Sequence, residues 1–311
     1  MVSLKECTVK RKCWFCGSND FRTLYENYRI PTNAAKDVSS FKLAKCNKCG
    51  LILVNPAPCK EDLISYYPVD YYEDDHSGTQ IVGKIIRDFY GSKKFDFLLS
   101  KLNSDSENQE KILEIGPGNG NNLVPFLNQG NKVFAIEPNE RLANIVERLG
   151  VSVVHGFLEQ AVNLPSDFDA VILSHVLEHE YEPYKMLAYC RQHMKEGGCI
   201  YVEIPTLDAP SFNVFRRYWG GLEFPFHLSL MKSNHLEEML KQSGFSIVIR
   251  KYKSLIGDTT RSLEKIFMTK NVKNDKKWLL VILGFVYELW FIVLNVLFRK
   301  GDAVVIIAKK I

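Results

Sequence analysis

Four cysteines near the N-terminus form two C-x-x-C-G pairs, and this spacing indicates a metal site. The pairs are Cys13–Cys16 and Cys46–Cys49, each followed by a glycine. Two thiolates three residues apart can reach one ion, and four complete a tetrahedral site without water, so we predict a structural Zn²⁺. A redox dithiol or ordinary buried cysteines are the alternatives. The other cysteines have no partner at ligand spacing and are predicted to be packing residues: Cys7, Cys59, Cys190 and Cys199.

A glycine-rich turn after a short apolar strand indicates a second ligand site. The pattern E-x-G-x-G-x-G begins at Glu114 and includes Gly116 and Gly118. Glycine lets the backbone approach a ligand closely and adopt positive φ. Asn121 stands where a dinucleotide fingerprint has its third glycine, which disfavours a pyrophosphate. The next predicted strand ends in Glu137, whose carboxylate can accept hydrogen bonds from ribose hydroxyls.

Predicted strands and helices alternate from Lys111 onward, which favours a parallel α/β sheet with helices on both faces. We expect a zinc-binding module at 1–60, a linker and helical region at 61–110, and one large domain at 111–311. The predicted strands are Lys111–Ile115, Lys132–Glu137, Val151–His155, Phe168–Ser174, Cys199–Ile204, Phe245–Tyr252 and Ala303–Lys309. The predicted helices in this region are Asn121–Gln129, Asn139–Leu149, Pro183–Lys195 and Asn234–Gln242.

Composition limits the classes of function. The 311 residues are 46% hydrophobic, which suits a packed globular core. With 40 basic and 36 acidic residues, the net charge of +4 is too small to indicate a nucleic-acid binder by itself. The first residues contain no apolar segment of the secretory type, so we expect a cytoplasmic protein.

Four segments of the large domain together resemble the motif series of class I S-adenosylmethionine-dependent methyltransferases. They are LEIGPGNG, FAIEPN, FDAVILSHVLEH and MKEGGCIYVEIP. The resemblance covers roughly residues 111–311 and implies a Rossmann-like sheet with S-adenosylmethionine as the cofactor. The resemblance also implies roles for residues at the strand ends. Glu114, Gly116 and Gly118 would line the methionine part of the cofactor, and Glu137 would hold the ribose. Phe157 and Leu158 would flank the adenine, and Ser174 and His175 would close the site.

The cysteine module followed by this domain is similar to a bacterial group that includes sugar C-methyltransferases. Two further segments carry the likeness, YYPVDYYEDD and FPFHLSLMKSNHL. His227 falls on the last histidine of the family's H-E-H segment, but Pro225 and Phe226 replace the other two residues. Two acid–base groups of that family are therefore absent, which leaves C-, O- and N-methylation open.

Methyl transfer from a sulfonium requires an acceptor held in line with the methyl group and a base for the acceptor's proton. Histidine titrates near neutral pH, so we predict His227 as the base, with His175 as a second choice. Tyr72, with Tyr71, is predicted to orient the acceptor. Packing roles are the alternatives for His227 and both tyrosines. The H-x-x-E-H pattern from His175 to His179 matches a metalloprotease motif. We reject that interpretation because the pattern follows a buried strand, and we expect His179 to start the next helix.

Residues 278–298 form a nearly uninterrupted apolar segment in which Glu288 carries the only charge. The segment is just long enough to span a bilayer. The predicted strand after it must rejoin the sheet, which argues against a single crossing. We expect a helix on a membrane surface, so the enzyme would be peripheral to the inner face of the membrane. A dimer interface with a second copy, a lid and a true span are the alternatives.

The predicted function is methylation of a small-molecule acceptor, a nucleotide sugar or a glycan or lipid-linked intermediate of polysaccharide biosynthesis. An RNA methyltransferase that uses the zinc ribbon to bind RNA is the main alternative. Ser174-His175-Val176-Leu177 lacks the N/D-P-P-Y/F motif of base N-methylation, so nucleic acid is disfavoured. A non-enzymatic scaffold is a third reading, which the complete set of Gly116, Gly118 and Glu137 argues against.

Overall fold

The computed structural model describes residues 7–26, 40–66, 94–95, 98–100, 109–161, 164–255, 257–269 and 277–311. Within these ranges the strands are β1 (Thr8–Val9), β2 (Phe21–Tyr25), β3 (Leu43–Cys46), β4 (Ile52–Val54), β5 (Ala57–Pro58), β6 (Lys111–Ile115), β7 (Lys132–Glu137), β8 (Ser152–His155), β9 (Phe168–Ser174), β10 (Met194–Pro205), β11 (Ser229–Leu230), β12 (Phe245–Lys253) and β13 (Ala303–Lys310). The α-helices are α1 (Val124–Asn128), α2 (Glu140–Glu147), α3 (Pro183–His193), α4 (Pro210–Phe215), α5 (Ser233–Gln242), α6 (Asp258–Thr269) and α7 (Lys277–Phe298).

Seven strands form the main sheet, in the order β12-β13-β10-β9-β6-β7-β8. Each predicted strand of the large domain is present, although β10 starts five residues before the predicted Cys199. The prediction of a wholly parallel sheet is wrong for β13, which is antiparallel to both β10 and β12. Strand β13 is antiparallel because helices α6 and α7 return the chain to the edge of the sheet at which β12 ends. The chain leaves β12 at Lys253 and re-enters β13 at Ala303, and these two residues are register partners at the same edge.

Alternating side chains of the central strands fill two apolar layers, one on each face of the sheet. Leu113, Val171 and Val202 belong to one buried cluster. Their strand neighbours Ile112 and Ile172 belong to another cluster, on the opposite face. Because β6, β7, β9 and β10 pair in parallel, their carboxyl ends meet at one edge of the sheet, where the candidate site lies.

A smaller sheet ties the N-terminal part of the chain to the large domain. Its strand order is β11-β4-β3-β2, and β11 comes from the long segment after β10. Leu53 of β4 pairs with Ser229, two residues after His227. The predicted boundary at residue 60 thus separates two parts of the chain that share a sheet.

The four cysteines outside the C-x-x-C pairs divide into two kinds. Cys190 and Cys199 are buried without a disulfide, as expected of packing residues. The same prediction is wrong for Cys7 and Cys59, which form a disulfide. Their spacing of 52 residues gives no local signal, and the antiparallel pairing of β1 with β5 brings the two residues together.

The apolar segment is helical, as predicted, and α7 packs against α6 and α4. The predicted seventh strand after it is confirmed as β13. Among the described residues, no helix is long and apolar enough to cross a membrane.

Candidate functional site

The glycine-rich turn after β6 leaves open space at the edge of the sheet. Gly116 and Gly118 have φ values of 65° and 59°, a region that side chains other than glycine seldom adopt. A Cβ atom on Gly116 would lie 3.0 Å from Val176, whereas one on Gly118 would meet no atom within 4 Å. The turn therefore packs against the segment after β9 on one side and is open beside Gly118, where a ligand can approach the backbone.

Glu137 lies beneath this turn, with only 3% of its surface exposed. One carboxylate oxygen accepts a hydrogen bond from the Gly118 amide at 3.1 Å, and the other accepts one from the Asn139 amide at 2.9 Å. Burial raises the pKa of this carboxyl group. Each oxygen has a second lone pair, so the carboxylate can also accept bonds from a diol. These residues fit the ribose role that the resemblance implies.

Lys94 connects several predicted site residues, and sequence analysis did not identify it. Its ammonium group donates to Ser174 Oγ at 2.9 Å and to Asn122 Oδ1 at 3.0 Å, and it lies 3.0 Å from the Glu203 carboxylate. Asn122 in turn donates to Glu114 Oε1 at 2.7 Å. Glu114 is fully buried, and burial raises its pKa to about 7. Its Oε2 atom has no hydrogen-bond partner among the described residues, so a further donor can be accepted there.

The two residues predicted to flank an adenine follow β8, which pairs with β7 at the edge that carries Glu137. Phe157 is 42% exposed, and Leu158 is half-buried against the core. An exposed aromatic ring that follows the strand paired with β7 suits stacking on a planar base. This arrangement is compatible with the predicted role of both residues.

His175 has an unusual backbone and a cationic side chain. Its φ of 58° places it in the left-handed region, directly after β9. Its ring nitrogens lie 3.3 Å from a Glu178 oxygen and 3.7 Å from a Glu203 oxygen. Burial lowers the pKa of His175, but the hydrogen bonds to these carboxylates outweigh burial and raise it to about 10. A histidine that is protonated at neutral pH cannot accept a proton. His175, the second choice as base, is therefore poorly suited to that role.

This pKa shift predicts a pH-dependent contribution to stability. Because the folded-state pKa is raised from 6.5 to about 10, the stabilisation is complete below pH 6.5 and is lost as the pH rises through about 10. We expect His175→Asn to lower the melting temperature most at pH 6 and progressively less up to pH 10.5. Asparagine tolerates the left-handed backbone, so the variant removes the charge without new strain. His193→Asn, outside this network, is the control. A difference that grows with pH would contradict the prediction.

His227 lies in a buried position with a defined orientation. It is 5% exposed, and its Nδ1 atom is 2.9 Å from the carbonyl oxygen of Gly221. Because a carbonyl only accepts, Nδ1 carries a proton and the lone pair of a neutral ring is on Nε2. Nε2 lies 3.7 Å from a carboxylate oxygen of Glu223. Glu223 thus supplies a carboxylate near the histidine although Phe226 replaces the family's glutamate.

His179 and Glu178 complete a cluster with His227. The His179 ring packs edge-on against His227, with 4.8 Å between centroids, and its Nδ1 donates to the Phe226 carbonyl. Burial and the adjacent His227 lower the pKa of His179 to about 4, so this ring is neutral. Ligand-type atoms of Glu178, His179 and His227 all lie within 4.8 Å of one another. The sequence signal for this cluster is the H-x-x-E-H pattern. The prediction that His179 starts the next helix is wrong, because His179 ends a 3-10 turn and α3 begins at Pro183.

Lys265 of α6 supports the segment that orients His227. Its ammonium group donates to the carbonyl oxygens of Trp219 and Leu222 at 2.9 Å each. Gly221, whose carbonyl accepts from His227, lies between these two residues. The orientation of His227 therefore depends on α6.

Tyr72, which was predicted to orient the acceptor, lies outside the described residues.

The four cysteines of the C-x-x-C pairs converge as predicted. Sulfur atoms of Cys13 and Cys49 are 3.5 Å apart, as are those of Cys16 and Cys46, and all four lie within 4.8 Å of one another. Tetrahedral coordination with Zn–S bonds of about 2.3 Å requires sulfur separations of about 3.8 Å. The donor set and its spacing therefore fit a structural Zn²⁺. His235 of α5 donates to the Cys49 carbonyl at 3.0 Å and joins this module to the large domain.

Residues 83–249, more than half of the chain, match a protein-family model described as a methyltransferase domain. The chain is 27% identical over 133 residues to an uncharacterized protein of Methanocaldococcus jannaschii, a match that covers 43% of this chain and 63% of that protein. It is 28% identical over 101 residues to an uncharacterized methyltransferase of Oceanobacillus iheyensis, covering 32% of this chain and 46% of the relative. The chain thus spans less than two thirds of these relatives.

Two solved structures are similar to part of this chain. A SAM-dependent methyltransferase from Archaeoglobus fulgidus has a TM-score of 0.48 and 20% identity, covering 72% of this chain and 94% of that chain. Magnesium protoporphyrin IX methyltransferase from Synechocystis, with bound SAH, has a TM-score of 0.48 and 16% identity, covering 77% of this chain and 91% of that chain.

Proposed function

Because the chain belongs to the S-adenosylmethionine-dependent methyltransferases, we propose that it methylates a small-molecule acceptor with His227 as the general base. One observation carries this proposal. A buried histidine has its Nδ1 proton fixed on the Gly221 carbonyl, so Nε2 can accept a proton within a cluster of two carboxylates and a second histidine. Such a cluster, on the segments that follow β9 and β10, has the composition needed for proton removal.

The cofactor residues and the base have separate tasks. When bound, S-adenosylmethionine supplies a methyl group on a sulfonium, which is already activated for transfer. Glu137, held by the Gly118 amide, would hold the ribose, and the open backbone at Gly118 with Glu114 and Lys94 would lie beside the methionine part. Val176 packs against Gly116, and the same segment carries Glu178 and His179. This connection keeps the cofactor residues and the base cluster at one edge of the sheet.

His227 would take the acceptor's proton onto Nε2. The imidazolium that results lies 3.7 Å from the Glu223 carboxylate, which stabilises the new charge. His175 stays cationic beside Glu203. Burial acts to raise the pKa of Glu203, but the nearby Lys94, His175 and Lys253 hold it well below its usual range. These fixed charges keep the site polar without competing for the proton.

We propose a nucleotide sugar, or a glycan or lipid-linked biosynthetic intermediate, as the acceptor. The support is the likeness to sugar C-methyltransferases in the cysteine module and around His227. Mass spectrometry of extracts from a strain lacking the gene tests this class. In the deletion strain, the proposal expects a sugar-containing species that is lighter by one methyl group. The wild-type gene should restore the methylated species. An unmethylated RNA position with unchanged small molecules would favour the RNA alternative.

The ribose assignment predicts a change in cofactor affinity. Glu137→Ala removes a charged acceptor and should weaken S-adenosylmethionine binding by about 1–3 kcal/mol, which is roughly a 5- to 150-fold higher Kd. Glu140→Ala, at the exposed start of α2, is the matched control. Calorimetric titration measures both. A Kd for Glu137→Ala equal to that of wild type would refute the assignment.

We also propose that Cys13, Cys16, Cys46 and Cys49 hold one structural Zn²⁺. The support is the convergence of four sulfur atoms and the absence of room in a four-thiolate shell for a catalytic water. In this proposal the metal fixes the N-terminal module, while the methyl-transfer site lies in the large domain.

A further inference from the structure

Two polar residues of helix α7, Glu288 and Asn295, are directed toward the protein. Glu288 and Asn295 are only 8% and 5% exposed, and Asn295 donates to Ser254 Oγ at 2.7 Å. Phe291, on the same stripe, is 1% exposed and contacts Phe215 of α4. A Cβ atom on Gly284 would lie 2.5 Å from the Thr260 hydroxyl oxygen, so α7 approaches α6 closely. The inner stripe of α7 is therefore fixed by packing and hydrogen bonds.

The outer stripe of α7 is apolar and exposed. Its members are spaced three or four residues apart, so they share one face of the helix. They are Val286, Leu289, Trp290, Val293, Val296 and Leu297, each between 48% and 73% exposed. A surface helix of a protein in water shows the opposite arrangement, with polar residues outward. A continuous apolar patch of this kind marks a surface that contacts lipid or another protein.

Charges and aromatic rings around the stripe favour lipid. Arg299 is exposed at the end of α7, and Arg216 is exposed immediately after α4, which packs on α7. Lys300 is 39% exposed and lies 3.6 Å from Asp208. Arg299 follows α7 directly, and an exposed cation at the end of an apolar stripe complements anionic headgroups around an acyl layer. Trp290, with its amphipathic ring, is of a type enriched at membrane interfaces.

We propose that the outer stripe of α7 binds the surface of a membrane that contains anionic lipids, with the helix axis parallel to the membrane plane. The stripe runs along the helix instead of circling it, and the inner stripe stays packed on the protein, so the helix lies on the bilayer and does not cross it. This inference depends on the surface alone and holds whether or not the proposed methyl transfer is correct.

The same contacts connect the membrane surface to the base cluster. Helix α6 packs on α7, and its Lys265 holds the carbonyl groups on either side of Gly221, which orients His227. One helix thus separates the lipid-facing stripe from the segment that carries the base. A membrane-attached acceptor would reach the enzyme from this side.

Flotation of the full-length protein with vesicles tests the proposal. We expect binding to vesicles of phosphatidylcholine with 30% phosphatidylglycerol, weaker binding to phosphatidylcholine alone, and loss of binding as salt is raised. The double variant Val296→Glu/Leu297→Glu should reduce the partition coefficient about tenfold or more, because two exposed side chains can no longer enter the acyl layer. Val248→Glu, an exposed valine of β12, is the matched control and should bind as wild type does.

A second double variant tests the contribution of charge to membrane binding, and separate measurements test the folding of each variant. Arg216→Glu/Arg299→Glu leaves the apolar stripe intact and should lower binding to anionic vesicles alone. Circular dichroism melts and S-adenosylmethionine titrations show whether each variant keeps its fold. Wild-type protein that stays with neither kind of vesicle would overturn the proposal. A second result would also overturn it: wild type forms a dimer in light scattering and does not bind vesicles, and the Val296→Glu/Leu297→Glu variant is a monomer. The stripe would then bind a second copy of the chain.

Discussion

His227→Ala should lower the turnover of methyl transfer by about 10²–10⁴-fold and leave the Kd for S-adenosylmethionine unchanged. The imidazole is the group with a lone pair aimed into the cluster, and its ring makes no contact with Glu137 or the glycine-rich turn. The loss should therefore appear in kcat and not in cofactor binding. Single-turnover rates and calorimetric titrations measure the two quantities separately.

His193→Ala provides the matched control for this prediction. His193 is a half-buried histidine at the end of α3, and its Nδ1 also bonds to a carbonyl, that of Tyr189. It lies outside the cluster, so its replacement should leave turnover within about twofold of wild type. Equal turnover in the His227→Ala and His193→Ala variants would remove His227 from the mechanism.

Cys46→Ser should release the metal and unfold the N-terminal module. Structural Zn²⁺ contributes about 10–16 kcal/mol in small zinc-binding peptides, far more than one side chain supplies by packing. Because β4 pairs with β11 next to His227, we expect the variant to lose most of its methyl transfer as well. Elemental analysis of the wild-type protein should find about one zinc per chain.

Cys190→Ser is the control for the zinc prediction, since Cys190 is equally buried but lies in α3 away from the other thiols. It should retain the full zinc content. A folded wild-type protein that contains no zinc, and in which all four thiols react freely, would contradict the assignment.

The sequence predicted the large domain well because its signals are local. The strand Phe168–Ser174 is confirmed residue for residue, since an apolar run bounded by turn residues specifies a buried strand. The predicted helix Asn139–Leu149 is present as α2, and the structure adds that Asn139 caps it by accepting from the Leu142 amide. The apolar helix and the strand after it are also confirmed.

Contacts between distant segments could not be predicted in this way. The direction of β13 depends on where two packed helices return the chain, and no local pattern specifies that point. The disulfide between Cys7 and Cys59 depends on the pairing of two very short strands. Sheet pairing between β4 and β11 likewise joins residues far apart in sequence.

The candidate site was partly predictable for the same reason. Glu114, Gly118 and Glu137 were identified because they lie at the carboxyl end of a strand or just after it: Glu114 near the end of β6, Gly118 in the turn after it, and Glu137 as the last residue of β7. Lys94 and Glu223 lie in none of the quoted motifs, and Glu203 lies in the MKEGGCIYVEIP segment without a role assigned to it. Only the fold brings these three charges to the predicted site residues. His179 was visible in the sequence, but its contact with His227 requires the segment after β10 to fold back over β9.

Transfer of labelled methyl groups tests most directly whether the protein methylates a sugar-containing small molecule with His227 as the base. Wild-type enzyme and the His227→Ala variant are each incubated with methyl-tritiated S-adenosylmethionine and a small-molecule extract from a strain that lacks the gene. We predict that wild type transfers label to a sugar-containing compound, while the variant binds the cofactor with equal affinity and transfers at least about a hundredfold less. Tight cofactor binding by wild type without label in any fraction, or equal transfer by both proteins, would contradict the account.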